Sequence, residues 1–403
     1  MRITHFLTRF NLADGGVVRA VLDMSALLAS RQHDVTVLTC DDTDIPEAWK
    51  QGSPGMPRVV RVAPPSRPLG LFSPAQLADL DLHLTGADVL HLHACWTTAN
   101  NQLARSAQRH RTPYILSVHG MLDDWCMSQK TLKKKVYLAL GGRRTLEEAS
   151  LVHCTATAEL EQSRKWYPRG RGTVVPLIFD LDPYRSLPGA DLADAAYGPA
   201  GTGDLEPSLP TVLFLSRIHL KKGVDVLIDA AAELKRRGIA CRTIIAGTGD
   251  APYEAEMRAR ISALGLKNDV RMIGLVTGAT KVSLYQRAAV LAIPTSQENF
   301  GFVFPESLAC RTPVVTTRGV DIWPELEASG GAIIADRTPS AFADAIASIL
   351  ADPQKQQAMG ERGRAWVLEH LDPDSIAQRF EVMYAEARST GSTSSPSTSG
   401  TNS

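Results

Sequence analysis

The sequence predicts an α/β protein of two domains, each built on a mostly parallel sheet. Three observations predict this class. Apolar segments with the length of buried strands alternate with segments of helical periodicity in both halves of the chain. A stretch rich in proline and glycine separates the two halves. With 403 residues, the chain is long enough for two separate hydrophobic cores.

The elements of the first half follow one another in the order expected of a parallel sheet. We predict strands at 3–7, 35–38, 89–92, 114–118 and 151–154, and helices at 17–29, 100–108 and 132–148. The second half repeats the alternation from 211 to about 351. We therefore place a first domain at 1–182, a linker at 183–210 and a second domain at 211–372. A helix follows at 373–387, and the Ser- and Thr-rich tail at 388–403 is predicted to be disordered.

The most informative segment carries two glutamates eight residues apart, Glu298 and Glu306. It follows an apolar strand at 290–294, and a predicted helix opens at Glu306. In open α/β sheets, ligands bind outside the carboxyl ends of the strands, which is where this loop lies. One carboxylate in the loop and one on the helix suit the hydroxyl groups of an elongated ligand. A nucleotide sugar fits this pattern, with one glutamate at the sugar and the other at the ribose.

A second cluster follows the apolar strand that begins near Val212. Its loop contains Arg217 and Lys222, and a helix is predicted to begin near Gly223. An arginine fork forms bidentate contacts with phosphate oxygens, and lysine adds a compact charge. Together with a helix N-terminus, these two cations can neutralise a diphosphate without a metal ion. The alternative interpretation is a solvated loop with surface cations.

Two further motifs follow strands of the first half. Gly15 and Gly16 precede the helix predicted from Val17, where small residues and free N–H groups suit an anion. Their spacing is not that of a Gly-x-Gly-x-x-Gly dinucleotide fingerprint, and the alternative is a tightly packed turn. His119 ends the strand at 114–118 and is followed by Gly120. Taken alone, a histidine at the end of a strand is more often structural than catalytic.

As an ordered set, these motifs resemble the family 4 retaining glycosyltransferases. The set consists of Gly15-Gly16, His119-Gly120, Arg217 with Lys222-Gly223, Gly247-Thr248-Gly249, and Glu298 to Glu306 with Asn299-Phe300-Gly301 between them. The resemblance spans residues 2 to 387, and the ordered set is far more specific than any single member. It implies the GT-B fold, in which two Rossmann-like, doubly wound domains face a central cleft. It also implies that the helix at 373–387 crosses back to the first domain.

The resemblance implies the transfer of a sugar, with retention by front-face attack, from a UDP- or GDP-sugar to a saccharide or lipid-linked acceptor. Such an enzyme would need no cofactor and no metal ion. Synthesis of a cell-surface polysaccharide or a glycolipid is the expected setting.

Each motif receives a role on this reading. Arg217 and Lys222 would hold the diphosphate and stabilise the leaving group. Glu306 would bind the ribose, and backbone near Val276 the base. The family pattern implies the remaining roles. Glu298 and the N–H groups of Asn299, Phe300 and Gly301 would bind the sugar, and His119 would position it without acting as a general base. Gly15-Gly16 would contact the diphosphate or the acceptor.

Composition excludes several other classes of protein. The formal net charge is zero, so no global field favours nucleic acid as a partner. Six scattered cysteines without a Cys-x-x-Cys pair indicate reduced thiols in a cytosolic protein. The N-terminal apolar stretch is too short for a signal peptide, and no run of about 18 apolar residues is present to span a bilayer. We therefore expect a cytoplasmic protein.

Some polar groups have plainer interpretations. His91 and His93 lie on one face of a predicted strand, as metal ligands do, but the sequence offers no evident third ligand. The pairs Asp41-Asp42 and Asp123-Asp124 lack the context of an acidic metal motif. We interpret them as solvated acids or helix caps.

The basic run Lys130, Lys133, Lys134 and Lys135 is interleaved with apolar residues at helical spacing. It fits a helix on an anionic membrane surface, which would place the protein peripherally on the inner face of the membrane. A solvated helix face is the equal alternative.

Two rival functions stay open at this point. One is another GT-B enzyme, an epimerase or a phosphorylase, although a phosphorylase needs a cofactor lysine and a much longer chain. The other is a non-catalytic sugar-nucleotide binding protein that kept the fold alone. The complete set of two cations and two glutamates speaks against loss of activity. Arg311 departs from the family pattern, which has a small residue there, and we expect it to lie away from the ligand.

Overall fold

The computed structural model describes residues 1–14, 16–197 and 209–392, which divide into two compact units. The first unit comprises Met1–Ile178 together with the chain from Pro373, and the second comprises Phe179–Asp372. The division therefore falls a few residues before the linker predicted at 183–210. Residues 198–208 of that linker, the tail at 393–403 and Gly15 lie outside the described residues.

The first unit is built on a seven-stranded parallel sheet with the order β3-β2-β1-β4-β5-β6-β7. The five strands predicted for this half are all present, and β3 and β7 extend the sheet at its two edges. The strands are β1 (Arg2–Phe6), β2 (Asp34–Thr39), β3 (Arg58–Arg61), β4 (Val89–His93), β5 (Tyr114–Ser117), β6 (Leu151–Cys154) and β7 (Gly172–Val174). Strands β4, β5 and β6 are buried along their whole length, as expected for a sheet covered on both faces.

Helices join successive strands of this sheet. They are α1 (Gly16–Ser30), α2 (Glu47–Lys50), α3 (Pro74–Leu84), α4 (Thr98–Arg109), α5 (Asp124–Ser128), α6 (Thr131–Tyr137), α7 (Arg143–Glu147) and α8 (Thr157–Arg164). The single helix predicted at 132–148 is divided because Leu138–Gly142 forms a π-helical turn in which Gly141 has a φ of 135°. A residue with a side chain rarely adopts that conformation, so the glycine sets the break.

The second unit contains a six-stranded parallel sheet with the order β10-β9-β8-β11-β12-β13. Its strands are β8 (Thr211–Leu215), β9 (Arg242–Ala246), β10 (Val270–Gly274), β11 (Val290–Ala292), β12 (Val314–Thr316) and β13 (Ala332–Ile334). The strand order reverses between β8 and β11, which pair directly. Loops after the two strands at such a reversal diverge and leave room for a ligand.

The helices of this unit include two in the stretch predicted as a linker. They are α9 (Asp182–Arg185), α10 (Asp191–Ala196), α11 (Val224–Arg236), α12 (Ala251–Ala263), α13 (Gly278–Arg287), α14 (Val303–Ala309), α15 (Trp323–Ala328), α16 (Pro339–Leu350) and α17 (Pro353–His370). The backbone N–H of Ala193 donates to Oγ of Ser283 at 3.0 Å, which fixes α10 to α13. The guanidinium of Arg242 lies 4.5 Å from the ring centre of Tyr197. These contacts make the start of the expected linker part of the second unit.

The C-terminal helix α18 (Pro373–Ser392) belongs to the first unit, although it follows the second unit in the chain. Phe380 and Tyr384 are fully buried, and the Tyr384 hydroxyl lies 2.9 Å from Nδ1 of His91. Arg31 of the first unit forms ion pairs with Glu381 at 2.8 Å and with Asp374 at 3.0 Å. Apolar burial and ion pairs together hold the helix on the first sheet. None of the helices in the described ranges is both long and apolar enough to cross a membrane.

Candidate functional site

The loops that follow β8 and β11 are joined by side-chain and backbone contacts. Nζ of Lys222 donates to Oε2 of Glu298, and the two groups form an ion pair. The N–H of Ser296 donates to the carbonyl of Lys221 at 2.7 Å. A side chain at Gly223 would collide with the carbonyl oxygen of Pro294, so only glycine permits this approach. The structure therefore brings together one cation and one carboxylate that the sequence placed 76 residues apart.

The backbone of the Glu298 loop is fixed on its other side by the chain after β12. The N–H of Glu298 donates to the carbonyl of Gly319 at 2.8 Å, and the N–H of Asp321 donates to the carbonyl of Glu298 at 3.0 Å. Nδ2 of Asn299 donates to Oδ2 of Asp321 at 3.0 Å. Gly301 has a φ of 64° and lies against the ring of Phe304. The loop is held firmly while the carboxylate of Glu298 keeps 28% of its surface exposed.

Glu306 lies in the first turn of α14, which begins at Val303, three residues before the predicted start. Its Oε1 accepts from Nζ of Lys281 at 2.7 Å, and its Oε2 accepts from the hydroxyl of Tyr285 at 2.7 Å. Only 12% of the Glu306 side chain is exposed. The carboxylate is therefore available to a ligand over a small area and has partners of its own.

Arg217 follows β8 and is exposed, unlike the buried Lys222. The turn Gly247-Thr248-Gly249 lies beside it, because the N–H of Ile218 donates to the carbonyl of Thr248 at 2.9 Å. A side chain at Gly249 would collide with the carbonyl of Ile218. The N–H of Gly247 in turn donates to the carbonyl of Gly274 at 2.7 Å, just before the loop that contains Val276. Three successive strand ends are thus linked by their backbones.

His119 follows β5 of the first unit in a left-handed conformation, with a φ of 50°. The turn is held by Glu159, a fully buried carboxylate that accepts from the N–H of Gly120 and from the N–H and hydroxyl of Thr155. Nε2 of His119 forms a hydrogen bond with Nδ1 of His93 at 3.2 Å. Burial lowers the pKa of His119 to about 3, so the imidazole is neutral at physiological pH. The geometry fits a neutral hydrogen-bonding group.

The sequence offered no third partner for His91 and His93, but the structure supplies one in His5. The three histidines are buried, and one ring nitrogen of each lies within 4.8 Å of the others. Both nitrogens of His91 already have partners, the Tyr384 hydroxyl at 2.9 Å and the Ser117 hydroxyl at 2.7 Å. His91 would have to give up one of these bonds to bind a metal ion. The hydrogen-bond network therefore favours a structural role for this cluster.

The other groups singled out in the first unit lie in ordinary structural settings. Gly16 is the first residue of α1, which therefore begins one residue before the predicted helix start at Val17. Asp123 caps α5 by accepting from the N–H of Cys126, which confirms the interpretation as a helix cap. Within the described residues, which include all six cysteines, no disulfide is formed. In the second unit, Arg311 forms an ion pair with Glu361 at 2.8 Å.

The basic run does not form one uniform face. Lys134 is turned inward, where its Nζ donates to the carbonyl of Cys126 and lies 5.3 Å from the centre of the Trp96 ring. Lys130, Lys133 and Lys135 are exposed. Beside them, Leu132, Val136 and Leu140 expose 78%, 47% and 77% of their surface. Lys134 must therefore be removed from the predicted membrane-facing set.

Sequence reasoning missed the side chains that support the candidate residues. Lys281 and Tyr285 lie four residues apart on α13 and hence on one helix face, which is a signal that the sequence did contain. Thr155 and Glu159 are similarly four residues apart at the start of α8. No local sequence pattern indicated that Tyr184 lies near the candidate site, because it falls in the segment predicted as a linker. Tyr184 is buried, and burial together with the nearby charge of Glu306 raises the pKa of its hydroxyl.

Comparison with solved structures defines the class of protein. Anabaena HepE in complex with UDP superposes with a TM-score of 0.73 at 21% sequence identity, covering 96% of this chain and 100% of that chain. The chain therefore has the GT-B fold. Two family models then match in order, a glycosyl transferase 4-like domain at residues 15–177 and glycosyl transferases group 1 at residues 204–366. Together they match most of the chain, which belongs to the group 1, family 4-like glycosyltransferases.

Two of the curated relatives match over shorter stretches. The alpha-D-kanosaminyltransferase of Streptomyces kanamyceticus is 34% identical over 154 residues, which are 38% of this chain and 39% of that protein. The D-inositol 3-phosphate glycosyltransferase of Kineococcus radiotolerans is 27% identical over 278 residues, 64% of this chain and 62% of that protein. The chain thus spans less than two thirds of the length of either relative.

Proposed function

We propose that this protein is a retaining glycosyltransferase that moves a sugar from a UDP- or GDP-sugar to a saccharide or lipid-linked acceptor. One observation carries the proposal. Lys222 and Glu298 meet at the reversal of strand order in the second sheet, where open α/β sheets bind their ligands. Arg217 lies in the same loop as Lys222, and Glu306 follows Glu298 on the next helix. This arrangement supplies cations for a diphosphate and carboxylates for two sets of hydroxyl groups.

The cations act on the leaving group. A lysine ammonium has three N–H donors, so Lys222 can serve Glu298 and still donate to phosphate oxygens. Arg217 adds a bidentate donor whose charge does not depend on pH in the physiological range. As the bond from the anomeric carbon to the diphosphate breaks, negative charge grows on the phosphate oxygens. Fixed cations at that position stabilise the transition state more than the ground state.

The carboxylates and His119 orient the donor and its sugar. Glu298 and the N–H groups of Asn299 to Gly301 bind sugar hydroxyls, Glu306 binds the ribose, and backbone near Val276 meets the base. A new bond forms between the anomeric carbon and the acceptor oxygen on the face that the diphosphate leaves, and the acceptor proton departs with the nucleoside diphosphate. The neutral imidazole of His119 donates to or accepts from the sugar. Gly15 and Gly16 are assigned to the diphosphate or acceptor side, and no cofactor or metal ion takes part.

The names of the relatives support this class of reaction. They include an alpha-D-kanosaminyltransferase and a D-inositol 3-phosphate glycosyltransferase. Another is the GDP-mannose-dependent alpha-(1-6)-phosphatidylinositol monomannoside mannosyltransferase of Mycolicibacterium smegmatis. HepE, which shares the fold, was crystallised with UDP. We infer that the acceptor belongs to a cell-surface polysaccharide or a glycolipid pathway.

The exposed surface of α6 and the turn after it supports a peripheral membrane location on the cytoplasmic side. Leu132, Val136 and Leu140 follow one another at a spacing of four residues and are exposed, which is unusual for large apolar side chains. Lys130, Lys133 and Lys135 surround them with positive charge. Apolar residues flanked by lysines suit the surface of an anionic bilayer, where a lipid-linked acceptor would be found.

The deciding experiment measures binding and turnover with a panel of UDP- and GDP-sugars, with and without saccharide and lipid-linked acceptors. Release of nucleoside diphosphate with formation of a glycoside of retained configuration supports the proposal. An epimerase would convert the donor without an acceptor, and a binding protein would bind donors without turnover. The first of those outcomes would replace the proposal by an epimerase function, and the second by a binding function without catalysis.

A further inference from the structure

The carboxylate of Glu306 is held by two donors from one helix of the second unit. Nζ of Lys281 donates to Oε1 at 2.7 Å, and the hydroxyl of Tyr285 donates to Oε2 at 2.7 Å. Both residues lie on α13.

Tyr285 is a built-in neutral donor. It is fully buried, so water does not replace Glu306 as its partner without disturbing the packing. Burial and the nearby charge of Glu306 raise the pKa of its phenol. The hydroxyl therefore stays protonated at any physiological pH and donates to the carboxylate.

These contacts fix the direction of the carboxylate before a ligand arrives. A carboxylate has about four acceptor positions on its two oxygens, and one donor on each oxygen leaves it little freedom to rotate. The side chain is 12% exposed, so a ligand meets it in one orientation. A group that is already oriented loses less conformational entropy when it binds.

Lys281 has an additional electrostatic effect. A nucleoside diphosphate is strongly anionic at neutral pH, and an uncompensated carboxylate beside it would repel it. The ammonium of Lys281 lies 2.7 Å from Glu306 and offsets this charge. Since the Lys281 side chain is 26% exposed, this electrostatic effect is moderate and becomes weaker as the salt concentration rises.

We propose that Tyr285 and Lys281 are positioning residues for nucleotide recognition, which orient Glu306 and offset its charge beside the nucleoside diphosphate. The inference rests on the proposed role of Glu306 at the ribose. It assigns a functional role to one face of α13. Neither residue needs to touch the donor for this effect.

The test is a double-mutant cycle on nucleotide affinity. Calorimetry with UDP and GDP identifies the nucleotide that binds the wild-type protein, and its Kd is measured for Tyr285→Phe and Glu306→Ala. Tyr285→Phe should weaken binding about threefold to tenfold, as expected for one hydrogen bond to a charged group. In the Glu306→Ala background, the same change should have no further effect. Equal losses in both backgrounds would show a purely structural role and overturn the inference.

Two controls separate the possible failures. Tyr253→Phe removes a buried hydroxyl that has no hydrogen-bond partner among the described residues, and it should leave Kd unchanged. If Glu306→Ala itself leaves Kd unchanged, the ribose role in the proposed function fails and the inference fails with it. If Glu306→Ala weakens binding while Tyr285→Phe binds like the wild type, only the inference is overturned.

Lys281→Met tests the charge separately. It should weaken binding of the nucleoside diphosphate more than binding of the uncharged nucleoside. The difference between the two losses should shrink as the salt concentration rises. Equal losses for both ligands would contradict the electrostatic part of the inference.

Discussion

Lys222 and Glu298 form an ion pair that joins the loops after β8 and β11. The Lys222 side chain is only 11% exposed and the Glu298 side chain 28% exposed, so each group is the other's main compensating charge. On the proposed mechanism, the pair connects the part of the site that holds the diphosphate with the part that holds the sugar. A change to Glu298 should therefore affect both parts, in opposite directions.

Glu298→Ala should separate nucleotide binding from sugar transfer. Loss of the carboxylate removes the sugar contact, so transfer should fall by about one to two decades, the effect of one charge-assisted hydrogen bond. Lys222 then has no anionic partner in its loop, and its attraction to phosphate rises. Affinity for free nucleoside diphosphate should stay equal or increase, as measured by calorimetry alongside initial rates.

Glu298→Gln is the matched control, because it keeps the shape of the side chain and removes its charge. It should show the same gain in nucleotide affinity with a smaller loss of transfer. A marked loss of nucleoside diphosphate affinity in Glu298→Ala, with retention in Glu306→Ala, would reverse the two assigned roles and the placement of the donor.

Arg217→Ala and Lys222→Ala should lower kcat/KM strongly, with much of the loss in kcat. The reason is that their partner gains charge during the reaction, so the contact strengthens in the transition state. A loss of roughly one to two decades for each is expected from one charge-assisted contact. Arg236→Ala removes an exposed arginine paired with Glu233 on α11 and should leave the rate unchanged. A rise in KM with an unchanged kcat would show uniform binding and contradict the leaving-group role.

Activity should survive chelation. Arg217 and Lys222 already supply positive charge for the diphosphate, so the proposed mechanism routes no step through a divalent ion. Initial rates measured in EDTA and in added magnesium or manganese should agree within about twofold, a difference that corresponds to less than 1 kcal/mol of barrier. Complete loss of activity in EDTA, with recovery of activity on addition of either ion, would contradict the metal-free assignment.

Much of the fold could be predicted because its signals are local. Strand β6 was predicted with its observed bounds, and β1, β2, β4 and β5 to within one residue at each end, since each is a short apolar run between polar breakers. The division of the helix at 132–148 escaped prediction, because the apolar spacing continues through the π-helical turn and one glycine decides the break. The segment around Tyr184 was misplaced since its helices are short and acquire their position through contacts with α13.

The candidate site was predictable in its charged residues but not in their support. Lys222 and Glu298 were both named from motifs, and the strand order that brings them together is a property of the whole sheet. Tyr285 reads as an ordinary core residue in sequence, and only packing reveals that its hydroxyl reaches Glu306. The same holds for His5, which joins His91 and His93 because β1 and β4 pair in register.

Binding to anionic vesicles tests the membrane location. Replacing Lys133 and Lys135 by Gln should reduce cosedimentation with phosphatidylserine-containing vesicles about tenfold or more, since each lysine near an anionic surface contributes roughly 1 kcal/mol. The effect should be largest at low salt. Lys134→Gln should have little effect on binding because this ammonium is engaged inside the protein.

The double variant Lys267→Gln/Lys355→Gln removes the same charge from other exposed sites and should bind like the wild type. If the wild-type protein does not bind such vesicles even at low salt, the peripheral location is contradicted. A freely diffusing acceptor is then the alternative.

Acid should destabilise the first unit before the second. Burial lowers the pKa of His5 to about 3 and of His153 to about 4, and it places those of His91 and His93 well below the usual value of 6.5. The unfolded chain binds these protons as pH falls through about 6.5, whereas the folded unit does not. The stabilising contribution is therefore complete above about pH 6.5 and decreases progressively as pH falls toward 4. Each buried histidine adds up to about 1.4 kcal/mol of lost stability per pH unit in this range.

Urea unfolding at pH 7.5, 6.0 and 5.0, followed by tryptophan fluorescence, measures this dependence above the range where most carboxylates titrate. His153→Gln should reduce the slope of the unfolding free energy against pH by the amount that corresponds to about one proton. The variant and the wild type should be compared at each pH. His370→Gln, which alters an exposed histidine of the second unit, should leave the dependence unchanged. A first unit whose stability is the same at pH 7.5 and pH 5.0 would show that its buried histidines are solvated or compensated in solution, contrary to the network seen here.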